Sequence, residues 1–147
     1  MKKNDAGRRN MKLSSIMTRD VMTVGMDTFL TDICKMFDES KFHHLVVIED
    51  DELCGVISDR DVLKALSPFL STAAEQNRDL ATMRKRAHQI MSRKPLTVTE
   101  DATVDDTAQL MMRENISCLP VMSSDGQVEG IVTRTDLLRA YSGHVVY

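Results

Sequence analysis

One pattern is written twice in this chain. Residues 16–66 read IMTRDVMTVGMDTFLTDICKMFDESKFHHLVVIEDDELCGVISDRDVLKAL, and residues 90–141 read IMSRKPLTVTEDATVDDTAQLMMRENISCLPVMSSDGQVEGIVTRTDLLRAY. The copies align at an offset of 74, which becomes 75 after one extra residue near Gly126 and Gln127. Ile16-Met17 matches Ile90-Met91, Thr23-Val24 matches Thr97-Val98, Leu45 matches Leu119, and GVISDRD ending at Asp61 matches GIVTRTD ending at Asp136. A unit of about fifty residues buries too little apolar surface to stand alone. The copies are therefore expected to pack face to face, with a ligand held most naturally at the surface they share.

Each copy spells the same order of elements. A short extended piece carries Thr23-Val24 or Thr97-Val98. Leu30, Ile33, Cys34 and Phe37 line one face of a helix predicted over residues 28–39, and Val104, Ala108, Leu110 and Met111 mark its counterpart over 103–114. Thr103 and Asp106 have the spacing of a capping pair at that second start. His44–Ile48 and Cys118–Met122 are apolar runs too short for helices. Asp50-Asp51 and the Ser123–Gly126 segment supply turns, and Leu53–Ile57 and Val128–Val132 complete two hairpins. Asp59–Leu66 and Arg134–Tyr141 read as closing helices. The chain thus divides into a flexible basic tail (1–12, with Met11 a candidate alternative start), a first repeat (13–66), a helical insert (67–89) and a second repeat (90–147). In the insert, Leu80, Met83 and Ala87 suggest a helix from Ala74 to Ala87. Its basic residues, Arg78, Arg84, Lys85 and Arg86, read either as a solvated connector or as a surface for a second subunit or phosphate.

The chemistry sits where strand meets helix. Gly-apolar-apolar-Ser/Thr-x-x-Asp occurs in both copies: the Gly admits a close backbone or ligand, and Ser58 or Thr133 stands at a helix start whose free N–H groups favour an anion. Asp61 or Asp136, three residues on, is an acceptor suited to a pair of vicinal hydroxyls such as those of a ribose. The same spacing is also an ordinary N-terminal cap, and spacing does not choose between the two.

The order of elements, the duplication, GVISDRD and GIVTRTD resemble the tandem cystathionine-β-synthase-type (CBS) domain family over residues 16–66 and 90–141. The separate pair with its Ala/Arg-rich insert is similar to bacterial acetoin-utilisation-type CBS proteins. The resemblance implies an α/β (α+β) fold, two β-α-β-β-α repeats packed as a pseudo-twofold Bateman module, whose clefts take AMP, ADP, ATP or S-adenosylmethionine as regulatory ligands. It also implies a homodimer and a protein target of unknown identity. Carried over, Asp61 and Asp136 hold ribose hydroxyls, Ser58 and Thr133 lie near ribose or phosphate, and Thr23, Val24, Thr97 and Val98 border adenine. Leu119 and Pro120 belong to the second site, and Arg60 and Arg134 flank the motifs out of register with each other. His43 and His44 stand where basic residues face phosphate, whereas Ser117 and Cys118 replace them in the second copy. Two unequal sites are expected, the first better suited to a charged tail; one packed and one solvated ring is the plainer account of the histidines.

Composition narrows the alternatives. A net charge of −3 and the absence of Trp argue against nucleic acid as a partner. No apolar run approaches the roughly 20 residues of a membrane span. Cys34, Cys54 and Cys118 show no metal-binding or disulfide spacing, which suits a reduced cytoplasmic setting. No nucleophile elbow, Walker loop or paired-acid motif stands out, so the expected role is non-catalytic, with no metal and no required cofactor. A dimeric interaction scaffold with empty clefts is the competing reading.

Overall fold

The computed structural model describes residue 7 and residues 10–143. The remainder of the expected tail, and residues 144–147 of the second repeat, lie outside the described residues. The chain forms two compact units, one continuous (Met22–Pro95) and one in which the residues up to Val21 join those from Leu96 onward.

In the continuous unit, β1 (Thr23–Val24) runs parallel to β2 (His44–Glu49), which pairs antiparallel with β3 (Glu52–Ser58). Leu45, Val46 and Val47 are fully buried in succession, as expected for a strand covered on both faces rather than an alternating one. Asp50 and Asp51 have φ of 50° and 62°, and they close the hairpin as a two-residue turn requiring positive φ at both positions. Between β1 and β2, α1 (Leu30–Glu39) lays Leu30 and Ile33 into the core. The unit continues through α2 (Asp59–Ala65) to α3 (Asn77–Ala81), a 3-10 turn (Thr82–Arg84), α4 (Ala87–Ile90) and β4 (Ser92–Arg93), which pairs antiparallel with β3.

The other unit repeats this plan with β5 (Val98–Thr99), α5 (Val104–Glu114), β6 (Cys118–Met122), β7 (Val128–Thr133) and α6 (Arg134–Ser142). Thr103 Oγ1 accepts from Asp106 N at 3.1 Å, capping α5 as the spacing suggests. The extra residue of this copy falls in the β6–β7 turn, where Gly126 takes a φ of 80°. This is the three-residue hairpin loop, closed by a residue in left-handed conformation. Pro120 lies within β6, and its match Val46 donates its N–H to the Met22 carbonyl. Proline has no such donor, so the corresponding link to Leu96 cannot form.

The repeats exchange their leading segments. Leu13 and Met17 belong to the core around Leu119 and Val132, while Ile90 and Met91 pack on the core around Leu45 and Ile57. Thr18 and Ile131 trade backbone bonds of 2.8 and 2.9 Å, the counterpart of the Val56–Ser92 pairing between β3 and β4. The motif glycines make this possible. A Cβ on Gly55 would meet Met91 Sδ at 2.5 Å and Ser92 O at 2.8 Å, and one on Gly130 would meet Met17 Cε and Thr18 O, each at 2.5 Å. The close approach expected at these glycines is therefore backbone against backbone.

Three sequence expectations need correction. The helix over 74–87 is broken: Lys85 is extended (ψ 151°), and its carbonyl accepts from Leu30 N at 2.7 Å while Ala87 N donates to Thr28 O. Pairing with residues 26–30 satisfies these backbone groups better than a solvated helix. Nor is the insert a free connector. Thr31 Oγ1 donates to Met83 O, Lys85 Nζ donates to Ala65 O, and the Arg86 guanidinium stands 4.6 Å from the Phe29 ring centre. Met11 and Lys12, expected in the tail, are likewise held, since Val104 N donates to Met11 O at 2.7 Å.

Candidate functional site

Each closing helix starts with a reciprocal cap. Ser58 Oγ accepts from Asp61 N at 3.2 Å, and Asp61 Oδ2 accepts from Ser58 N at 2.8 Å. Thr133 Oγ1 accepts from Asp136 N at 3.3 Å, and Asp136 Oδ2 accepts from Thr133 N at 2.9 Å. Capping is thus present at both sites, and ligand binding must use whatever acceptor capacity the caps leave.

That capacity differs. Asp61 is half-buried, and its Oδ1 has no partner among the described residues. Asp136 is 7% exposed, and its Oδ1 takes the Thr18 hydroxyl at 3.3 Å, with Oδ2 3.4 Å from the same group. Thr133 Oγ1 also donates to Asp136 Oδ2 at 3.1 Å. Beside it, burial, and secondarily the Asp136 charge, push the Cys118 thiol up to about 12, which keeps it protonated and unreactive at neutral pH. Thr18 was not legible as a site residue. The available signal was the hydroxyl kept at both Thr18 and its match Ser92.

Sheet register gathers the remaining predicted residues of the first copy. His44 lies opposite Ser58, Asp59 N donates to His43 O, and Thr23 pairs beside Val46. His43 is exposed, with Nδ1 3.0 Å from Asp59 Oδ2; His44 is half-buried. A carboxylate therefore occupies the side of His43 where the sequence suggested an anion. Arg60 is exposed and forms no ion pair among the described residues. Val24 is buried in the core and pairs with Val47 in the sheet.

In the second copy Cys118 lies opposite Thr133, and Arg134 stands where the first copy has Asp59. The Arg134 guanidinium is tied down, with Nε 3.3 Å from Ile116 O and Nη2 3.3 Å from Asn115 Oδ1. Ser117 O accepts from Arg134 N. Thr97 is exposed, Val98 half-buried, and Leu119 and Pro120 are buried, Leu119 within the core. Among the described residues no three His, Cys, Asp or Glu side chains gather as a metal site, and no helix is long and apolar enough to cross a membrane.

The CBS domain family model matches residues 13–68 and 87–143. A CBS domain-containing protein of Dictyostelium discoideum is 34% identical over 128 residues, covering 86% of this chain and 88% of that protein. A CBS domain pair solved in complex with 5′-methylthioadenosine and S-adenosyl-L-methionine superposes with a TM-score of 0.75 at 27% identity, covering 92% of this chain and 98% of the other. An Arabidopsis thaliana CBS-pair protein solved with AMP gives 0.72 at 27% identity, covering 90% and 97%. With a match on each repeat and the same mixed α/β architecture, the chain belongs to the CBS domain family as a tandem pair.

Proposed function

We propose that the chain is a regulatory module that binds adenosine-containing ligands at its Ser/Thr-x-x-Asp helix starts and signals their presence to a protein partner. Asp61 carries the reading: it stands in the first turn of α2 with Oδ1 uncommitted, the arrangement a vicinal diol needs. The AMP and S-adenosylmethionine held by similar CBS pairs support the same ligand class here. In this reading Ser58 and Asp61, or Thr133 and Asp136, hold the sugar. Thr23 and Val24, or Thr97 and Val98, border the base, and Arg60 lies free to meet phosphate. A ligand shifts the module between states only by binding one of them more tightly, so the partner reads the difference in affinity. The three free thiols fit a reducing cytoplasmic setting.

Thermal unfolding with AMP, ADP, ATP and S-adenosylmethionine tests this. A ligand at a hundred times its Kd stabilises the folded state by about 2.7 kcal/mol. A folded chain that no member of the panel stabilises would leave the second reading, a dimeric interaction scaffold. Leu63 and Leu138 favour that reading, since they match between the repeats and are 72% and 68% exposed on α2 and α6. Sedimentation of the Leu63→Ser/Leu138→Ser variant tests it, with loss of self-association expected.

A further inference from the structure

We propose that Thr18 makes the two sites unequal: Asp61 is the open acceptor for the vicinal diol, and Asp136 is held shut against one by the Thr18 hydroxyl. The proposal rests on the adenosine-ligand reading and specifies which half of the duplication performs it. A carboxylate offers about four lone-pair positions. Asp61 gives one of these to Ser58 N, and its Oδ1 is free. Ser92, which the repeat aligns with Thr18, makes no hydrogen bond to Asp61. About three positions remain, two of them on Oδ1, on a side chain that is only half-buried.

Asp136 is differently placed on both counts. Oδ2 accepts from Thr133 N and Thr133 Oγ1, and Oδ1 accepts from Thr18 Oγ1. The Thr18 hydroxyl also lies within 3.4 Å of Oδ2. Thr18 is not free to turn away as an intact segment, because its own N–H and carbonyl are locked to Ile131 and its backbone sits against Gly130. A diol arriving here must displace a bonded hydroxyl from a carboxylate that is 7% exposed. A diol at Asp136 must break the Thr18 bond to a carboxylate that is already shielded, whereas at the half-buried Asp61 Oδ1 it takes the place of solvent alone. This asymmetry therefore comes from a residue outside the repeated Ser/Thr-x-x-Asp motif.

Calorimetric titration of the full chain with AMP, ADP, ATP and S-adenosylmethionine, with 2′,3′-dideoxyadenosine monophosphate as the diol-free control, tests the proposal. The expected result is one strong, diol-dependent site per chain, abolished by Asp61→Asn. Thr18→Val, which keeps the shape and removes the hydroxyl, should tighten binding at the second site about tenfold, the equilibrium worth of one net hydrogen bond. Thr18→Ser should behave as the parent chain. A merely structural Thr18 would lower apo stability in the Val variant without adding a binding event. Strong binding that survives Asp61→Asn, two equal sites in the parent, or weaker second-site binding in Thr18→Val would overturn the proposal while leaving the adenosine reading intact. No binding of any probe by the parent would overturn both.

Discussion

At the residue scale, two carboxylates titrate in opposite directions. Asp79 is 4% exposed at the start of α3; the Ser67 hydroxyl (2.6 Å), and then Gln76 N (2.7 Å), hold its carboxyl below the usual range. A depressed pKa means the folded state favours the carboxylate. That contribution is complete above the unfolded value of about 3.9 and fades as pH falls through the lower folded one. Asp79→Asn points an amide donor at the Gln76 N–H, so we expect it to lower Tm at pH 7, with the gap from the parent closing below about pH 3.9. Glu129 is the reverse. It is the bulged residue of β7, opposite the register shift at Val121 and Met122, and its Oε2 is buried with no geometric hydrogen-bond partner among the described residues. Desolvation, and then the neighbouring Glu100, push its carboxyl up, while Arg19, paired to Glu100 at 2.9 Å, pulls it down and Asp125 adds to the rise. A raised pKa favours the folded state at low pH, and that advantage is lost as pH rises from about 4.3 through the folded value. Glu129→Gln should therefore raise Tm at pH 7 and match the parent below about pH 4. A variant offset that stays constant with pH, followed by calorimetry across both ranges, would contradict these assignments.

At the scale of elements, the two exchanged edges depend on the glycines of β3 and β7. Alanine at Gly130 places a methyl group 2.5 Å from the Thr18 carbonyl, whereas at Gly55 the nearest backbone atom is Ser92 O at 2.8 Å and the closer Met91 Sδ is the movable end of a side chain. Overpacking of this kind costs about 1–3 kcal/mol, occasionally more. We expect Gly130→Ala to reach or exceed the top of that range and Gly55→Ala to fall within it, as read by urea unfolding midpoints at constant m-value. Equal and negligible losses would mean that the leading segments do not lie against these strands. The caps at the helix starts are a separate matter. Their reciprocal bonds stabilise α2 and α6 whether or not a ligand is present, and each is worth about 1 kcal/mol.

At the scale of the whole molecule, the repeat made the order of elements readable, because short buried runs such as Leu45–Val47, the positive-φ aspartates at the hairpin and the capped helix starts are local events. Partner choice over long separations was not readable. Ile16-Met17 and Ile90-Met91 have the same spacing from their own strands whether they pack there or on the other copy, and Thr18 reaches Asp136 across 118 residues. The insert departs from a single helix for the same reason: its helical spacing carries no trace of the residues near Thr28 and Leu30 that compete for its backbone. The exchange leads to an asymmetric expectation for truncation. A chain starting at Met22 keeps every segment of the continuous unit, but strips Leu13, Met17 and the Thr18–Ile131 pairing from the other. Two buried apolar side chains at about 1.5–3 kcal/mol each and two hydrogen bonds at about 1 kcal/mol each amount to roughly 5–8 kcal/mol, comparable to the whole stability of a small domain. Removing the first 21 residues should therefore unfold the distant second repeat and spare the first. Hydrogen exchange should show lost protection in β6, β7 and α5, with β2 and β3 still protected, and a peptide of residues 10–21 added in trans should restore it. Loss of protection in β2 and β3 instead would mean that the leading segment serves its own repeat.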